Sequence, residues 1–370
     1  MNNENLDLER TEEKVTPATD IDASANVVDT ADISPVVDIA PMIDIQKAKL
    51  DFSRLGLGLA LFTLVSFTAA MIISIIVKKI SPEFYDSLWF ANMLSPIALY
   101  LFALPVLLIV IGKVKSEPPE KKRMGMSVWL LILFVSFGLM YIGAYAGNIF
   151  MNYVSEYFGY DYSNALDTLI DYDKLWISAI FVVIVAPIGE ELVFRKLIID
   201  RTKKYGAVIS IFFSSLVFGL MHGNFYQFFY AFAVGLVFGY VYYNTGKIHL
   251  TIALHTSLNF IGSIVTAYIS RGIERSEIFN NPELTDAELL PALMHDAPAI
   301  FAAFVYFSLV IAAMVCAIVI PLVLRKRIVL KGGELGLTKK QAWGIMFANS
   351  GVIVMLVIYL LEFALNLLPS

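Results

Sequence analysis

Three groups of polar residues interrupt apolar stretches of this chain, and together they could do chemistry. The first is in "APIGEELVFRK" (Ala186–Lys196), where Glu190, Glu191 and Arg195 follow the apolar run "LWISAIFVVIV". The second is His222, which closes "FGLMH"; the third is His255 with Asn259 in "LHTSLNF". A carboxylate held out of bulk water can act as general base toward a water molecule. An imidazole can share that role, protonate a leaving amine or bind a metal. A carboxamide can donate to a developing oxyanion, an interaction worth about 3 kcal/mol in a transition state. The set suits hydrolysis of an amide, and with no obvious serine or cysteine nucleophile among these groups it favours direct attack by water.

Helix geometry separates the two glutamates. Glu191 and Arg195 are an i,i+4 pair with the acid N-terminal to the base, the favourable order. Glu190 lies about 100° around the helix and has no such partner. Glu191 therefore reads as an ion-pair residue and Glu190 as the acid free to act. His255 and Asn259 are also i,i+4 and project from one face. If the chain turns near Lys204–Gly206, Glu190 and His222 lie equally far before and after Gly206. Equal helical rise then returns them to a similar depth.

The elements that must hold these residues are membrane helices. Of the 370 residues 58% are hydrophobic and 16% charged, with a mean hydropathy of +0.72. A soluble domain carries about 25% charged residues. The apolar excess falls in nine segments, near 55–77, 88–112, 127–150, 175–193, 207–222, 225–243, 248–269, 298–324 and 343–367. Backbone groups in lipid must be satisfied internally, so these segments are expected as helices. The fold expected is all-α: a polytopic membrane bundle of eight or nine transmembrane helices around a four-helix catalytic core. The 207–222 segment is the shortest. A single cysteine, Cys316, rules out a disulfide framework or a cysteine-based metal site.

Residues 1–46 differ from the rest. They carry eleven acids, from Glu4 to Asp44, against Arg10 and Lys14, and no aromatic residue. Such a segment buries too little surface to offset its ordering entropy, so a disordered acidic tail is expected. It lacks the basic start and apolar centre of a signal peptide. The division expected is thus a tail over 1–46, N-terminal membrane helices over 47–174, a catalytic core over 175–269 and C-terminal membrane helices over 270–370. The basic connections (Lys47 to Arg54, Lys113 to Arg123, Arg201 to Lys204, Arg325 to Lys340) fall on one side of a nine-span arrangement. The positive-inside rule makes that side cytoplasmic, with the N-terminus on it. Lys78 and Lys79 run against the scheme.

The residues also resemble a known family. "EELVFR" (Glu190–Arg195), "FGLMH" (Phe218–His222) and "HTSLN" (His255–Asn259) are similar, in order, to the EExxxR, FxxxH and HxxxN motifs of the CPBP family. This is the family of CAAX proteases and of bacteriocin-processing or bacteriocin-immunity proteins, also called Abi. The resemblance covers roughly residues 178–265. It implies an all-helical intramembrane endopeptidase in which Glu190 and His222 activate water and His255 and Asn259 stabilise the oxyanion. Glu191 and Arg195 would shape the site, and Phe218 would pack beside it. Relatives are usually labelled metalloproteases. Glu190, His222 and His255 are the three residues that could hold Zn²⁺, whose catalytic sites take three protein ligands plus water. A metal-free glutamate mechanism would use the same three, and both readings stay open.

The partners expected are a lipid bilayer, namely a plasma membrane, and a peptide or membrane-protein substrate, with no nucleic acid. Two other functions compete. A non-proteolytic scaffold or bacteriocin-immunity protein would keep the fold. A coupled transporter would show two pseudo-symmetric halves, and no internal repeat of the Glu190 region occurs. His249 and His295 read as solvated residues. Gly235 and Gly239 read as a close helix contact, and the aromatics from Phe225 to Tyr230 as packing or an interfacial belt.

Overall fold

The computed structural model describes residues 44–160, 162, 174–281, 283–328, 330, 332–333 and 336–368. Residues 1–43 of the expected acidic tail, and the acidic stretch containing Asp161, Asp167, Asp171 and Asp173, lie outside the described residues. Each of the nine apolar segments forms helix, and no strand occurs among the described residues. In chain order the helices are α1 (Ile45–Ile80), α2 (Leu88–Ile111), α3 (Met126–Phe158), α4 (Leu175–Tyr205) and α5 (Ala207–Leu220). They continue as α6 (Phe225–Thr245), α7 (Ile248–Glu274), α8 (Asp286–Val323), α9 (Lys339–Phe347) and α10 (Ser350–Leu365).

Helix α1 begins well ahead of its apolar stretch because the Asp44 side chain accepts a hydrogen bond from the Lys47 backbone N–H, capping the first turn at 2.9 Å. Among the described residues seven helices are long and apolar enough to cross a bilayer, or eight if α9 and α10, bent by 64° where Asn349 caps the second helix, are counted as one span. The 207–222 segment is different. Helix α5 has 14 residues, a rise of about 21 Å, against a hydrocarbon core of about 30 Å. It descends only part of the way before Met221–Asn224 turn the chain into α6. His222 lies in that turn, two residues beyond the end of α5.

The basic connections gather at one end of the bundle. Glu117 N–H donates to the Asp200 carbonyl at 2.6 Å, and Lys122 N–H to that of Thr245 at 2.9 Å. The Lys204 ammonium meets Asp51 at 2.7 Å, and Gly206 abuts Gly333. Two apolar clusters fill the interior. One joins residues of α1, α2, α4, α5, α9 and α10, including Phe194 and Phe218; the other joins α3, α6, α7 and α8, including Phe238 and Leu254. Gly235 and Gly239 bring α6 against Ser215, Phe218 and Ile211 of α5, the close contact expected of a small-xxx-small pair.

Candidate active site

The site is built on α4, and proline shapes that helix. Residues Ala179–Val185 are wound as π-helix, with Ala186 N–H reaching the Phe181 carbonyl five residues back. The next donor in that pattern would be Pro187, which has no N–H, so the Val182 carbonyl is left without it. Asn259 supplies the missing donor: its Nδ2 bonds the Val182 oxygen at 2.8 Å. The same device recurs in α2, where π-helix over Ile97–Ala103 runs up to Pro105. A second π stretch, Glu191–Ile199, carries Glu191 and Arg195, and a third, Phe260–Val265, follows Asn259 directly. Such local widenings are frequent at functional sites.

Glu191 and Arg195 are both fully buried and their charged groups lie 3.2 Å apart. Other helices supply one further hydrogen bond and two ring faces to the guanidinium, while its Nη2 has no hydrogen-bond partner among the described residues. Its Nη1 donates to Ser214 Oγ at 3.0 Å, and that hydroxyl donates in turn to the Phe194 carbonyl at 2.7 Å. Phe218 of α5 faces the guanidinium with 4.7 Å to the ring centre, and Phe238 of α6 with 5.9 Å. Arginine tolerates such burial because its flat, weakly hydrated cation can be attracted by ring faces. These two phenylalanines come from the two separate apolar clusters, so the ion pair sits at the seam between them.

His255 joins the two glutamates. Its Nδ1 is 3.1 Å from Glu191 Oε1 and its Nε2 is 3.6 Å from Glu190 Oε2. Neutral imidazole has one N–H, so only the doubly protonated ring can donate to both acids at once. Phe218 and Phe238 also bracket this ring, with centroids 5.6 and 5.5 Å away. Glu190 is half-buried, its side chain 18% exposed, and touches no lysine or arginine among the described residues. The two acids thus differ as their helix positions indicate, with one addition: Glu191 bonds His255 as well as Arg195.

His222 stands on the other side of Phe218, 5.2 Å from it centre to centre. Its Nδ1 is 2.9 Å from the Phe218 carbonyl, which can only accept, so the proton is on Nδ1 and Nε2 carries the lone pair. Among the described residues no hydrogen bond or ion pair joins His222 to Glu190, or Asn259 to either. The structure therefore brings Glu190, Glu191, Arg195, His255 and Phe218 into one contact network, with His222 and Asn259 at its rim. Asn259 keeps one N–H beyond the bond to Val182.

A metal does not find a ready site here. Among the described residues no three His, Cys, Asp or Glu side chains gather as ligands. His255 already commits Nδ1 to Glu191 at 3.1 Å, and Glu190 stands 3.6 Å from its Nε2. No step below passes through a metal. His249 and His295 are exposed, as expected of solvated residues.

Three neighbours were not evident from the spacing of residues. Ser214, a polar residue in the apolar α5, is the acceptor for Arg195. Phe238 carries no signal, being one aromatic among many in α6. Tyr100 of α2 packs its ring on Gly189, where any side chain would collide with it, and its hydroxyl is 3.5 Å from the Ala186 carbonyl. A glycine immediately before the two acids was the available clue to Tyr100.

Residues 172–261 match the family described as type II CAAX prenyl endopeptidase Rce1-like. No curated protein and no solved structure matches the chain. The matched stretch contains all three motifs and every residue of the contact network above except Tyr100. Over residues 172–261, the stretch that carries all three motifs, the chain is similar to the type II CAAX prenyl endopeptidases.

Proposed function

We propose that this protein hydrolyses a peptide bond of a membrane-associated peptide or protein, with Glu190 as general base. The observation that carries the reading is the contrast between adjacent acids. Glu191 is fully buried and tied to Arg195 and His255, whereas Glu190 keeps some exposure and has His255, at 3.6 Å, as its ion-pair partner among the described residues. In the proposed reaction water gives a proton to Glu190, with the Nε2 lone pair of His222 as the second polar contact that orients it. The water oxygen bonds the scissile carbonyl carbon. The oxyanion so formed takes hydrogen bonds from His255 Nε2–H and from the remaining Asn259 N–H. The carbon–nitrogen bond then breaks, and the proton held by Glu190 passes to the leaving amine. Arg195 acts through Glu191, whose carboxylate sets the orientation and protonation of His255.

Were a divalent ion to bind, Glu190, His222 and His255 would be its donors and it would polarise the carbonyl. Those side chains would first have to leave the contacts they make. The similarity to type II CAAX prenyl endopeptidases supports prenylated CAAX sequences as candidate substrates. The gathered basic connections support a cytoplasmic placement of that end of the bundle and of the N-terminus, in a plasma membrane. Glu190 lies midway along α4, so the bond cleaved would be at mid-membrane depth.

The test is cleavage of a prenylated peptide, and of the membrane peptidome of the host, by full-length protein, Glu190→Gln and His222→Ala. Loss of cleavage in both variants, with helicity and yield retained, is expected. Normal rates in both would end the mechanism, and a cellular phenotype that survives both would mark a non-proteolytic scaffold.

A further inference from the structure

The matched family segment stops at residue 261, yet the turn that carries His222 is held by the last helix. Met221–Asn224 joins α5 to α6, and Gly223 within it has φ +67°, a left-handed conformation suited to glycine. Glu362 of α10 presses its carboxylate against this residue; a methyl group at Gly223 would run into Glu362 Oε1. One turn further along α10, Asn366 donates from Nδ2 to the Gly223 carbonyl at 2.8 Å. From within the turn, Asn224 Nδ2 donates to the His222 carbonyl at 2.8 Å, and Asn224 also caps α6. The backbone that follows His222 is thus held both from within the turn and from the last helix.

Glu362 is an unusual residue for such a place. It lies in the apolar run "IYLLEFALNLL", where an acid is costly and functional by default. Its Oε2 is buried with no hydrogen-bond partner, and neither Lys nor Arg meets it among the described residues. The hydroxyls of Tyr359, on the same helix, and Thr63 of α1 share this patch. The catalytic proposal leaves Glu362 unused, and what its carboxylate touches is the His222 turn.

We infer that Glu362 and Asn366 form a clasp that positions His222, so that α10 completes an active site whose motifs all lie elsewhere. Glu362 is a positioning residue, acting through Gly223 and not on substrate. The inference rests on the peptidase reading only for its consequence in rate; its structural content can be read separately.

The experiment uses full-length protein in micelles, ¹⁵N-labelled on the rings of its four histidines, with the His222 signals assigned by His222→Asn. Glu362→Ala and Asn366→Ala are each expected to shift the His222 ring signals. Each should lower kcat about 10- to 100-fold, the scale of an ångström of misplacement, with KM unchanged. Glu362→Gln keeps the shape that meets Gly223 and should restore both signals and rate. Gly223→Ala should be as damaging as Glu362→Ala, and adding Glu362→Ala to it should regain part of the rate by making room for the methyl group. Asn366 is exposed, so its variant keeps the test open should Glu362→Ala fail to fold. Unchanged His222 signals in folded Glu362→Ala and Asn366→Ala would overturn the clasp. Shifted signals in a protein that cleaves nothing would uphold the clasp and defeat the peptidase reading instead.

Discussion

Changing each of the two adjacent glutamates to glutamine should have opposite consequences, and the sizes follow from their surroundings. Glu191→Gln keeps the shape but removes the charge 3.2 Å from Arg195, a guanidinium with 0% side-chain exposure. What remains to Arg195 is one bond to Ser214 and two ring faces. Breaking a buried pair by neutralising one partner costs about 3–5 kcal/mol, which multiplies the unfolded fraction by about 10²–10³·⁵. Glu190→Gln removes a charge that is 18% exposed and whose nearest partner is 3.6 Å away, so its cost should stay within about 1 kcal/mol. Cleavage should nevertheless be lost in Glu190→Gln. The double change Glu191→Gln with Arg195→Met should recover most of the stability, because a buried ion pair replaced by apolar volume is often neutral. Reversible unfolding in mixed detergent micelles, followed by circular dichroism, measures all four proteins. Equal destabilisation by the two single glutamine variants would refute the division of labour. So would a double variant no more stable than Glu191→Gln.

Other outcomes are expected from the same geometry. His255→Ala should abolish cleavage and also loosen Glu191, whereas His249→Ala, at an exposed position, should leave rate and stability unchanged in the same peptide assay. Gly189→Ala should force the Tyr100 ring off α4 and cost about 1–3 kcal/mol; Tyr100→Ala in the same chain should relieve it, read as unfolding midpoints. Asn259→Ala strips the Val182 carbonyl of its donor, so it should lower stability by about 1–3 kcal/mol as well as slow the reaction. Asn259→Asp, which cannot donate when ionised, should do no better. Cleavage should survive exhaustive chelation, checked by elemental analysis of the treated protein. Loss of activity that returns with Zn²⁺ alone would reopen the metal reading.

Much of the architecture was legible because lipid leaves the backbone few choices. All nine apolar segments are helices, and the i,i+4 spacing of Glu191 and Arg195 did foretell their pairing. The equal distances of Glu190 and His222 from Gly206 agree with a short α5 that ends at depth, although its 14 residues do not span a bilayer. Spacing was a poorer guide to what touches what. Asn259 reads as an oxyanion donor from its motif, yet half of its donor capacity is spent on a carbonyl that Pro187 leaves unpaired. Glu362 could have been noticed, as an acid in an apolar run, but nothing local says that it meets Gly223, 139 positions earlier in the numbering.

By itself, then, the chain determined that it would be a membrane bundle, which residues would be stranded at depth, and which face of each helix they would occupy. Those properties follow from hydropathy and from the helical period, both of which act within a single segment. Only the tertiary structure decided that His255 stands between two carboxylates, that Phe218 and Phe238 enclose the buried cation, and that α10 holds the His222 turn. These contacts join separate helices. A period fixes which residues share a face, but packing of volume and satisfaction of buried polar groups decide which faces meet.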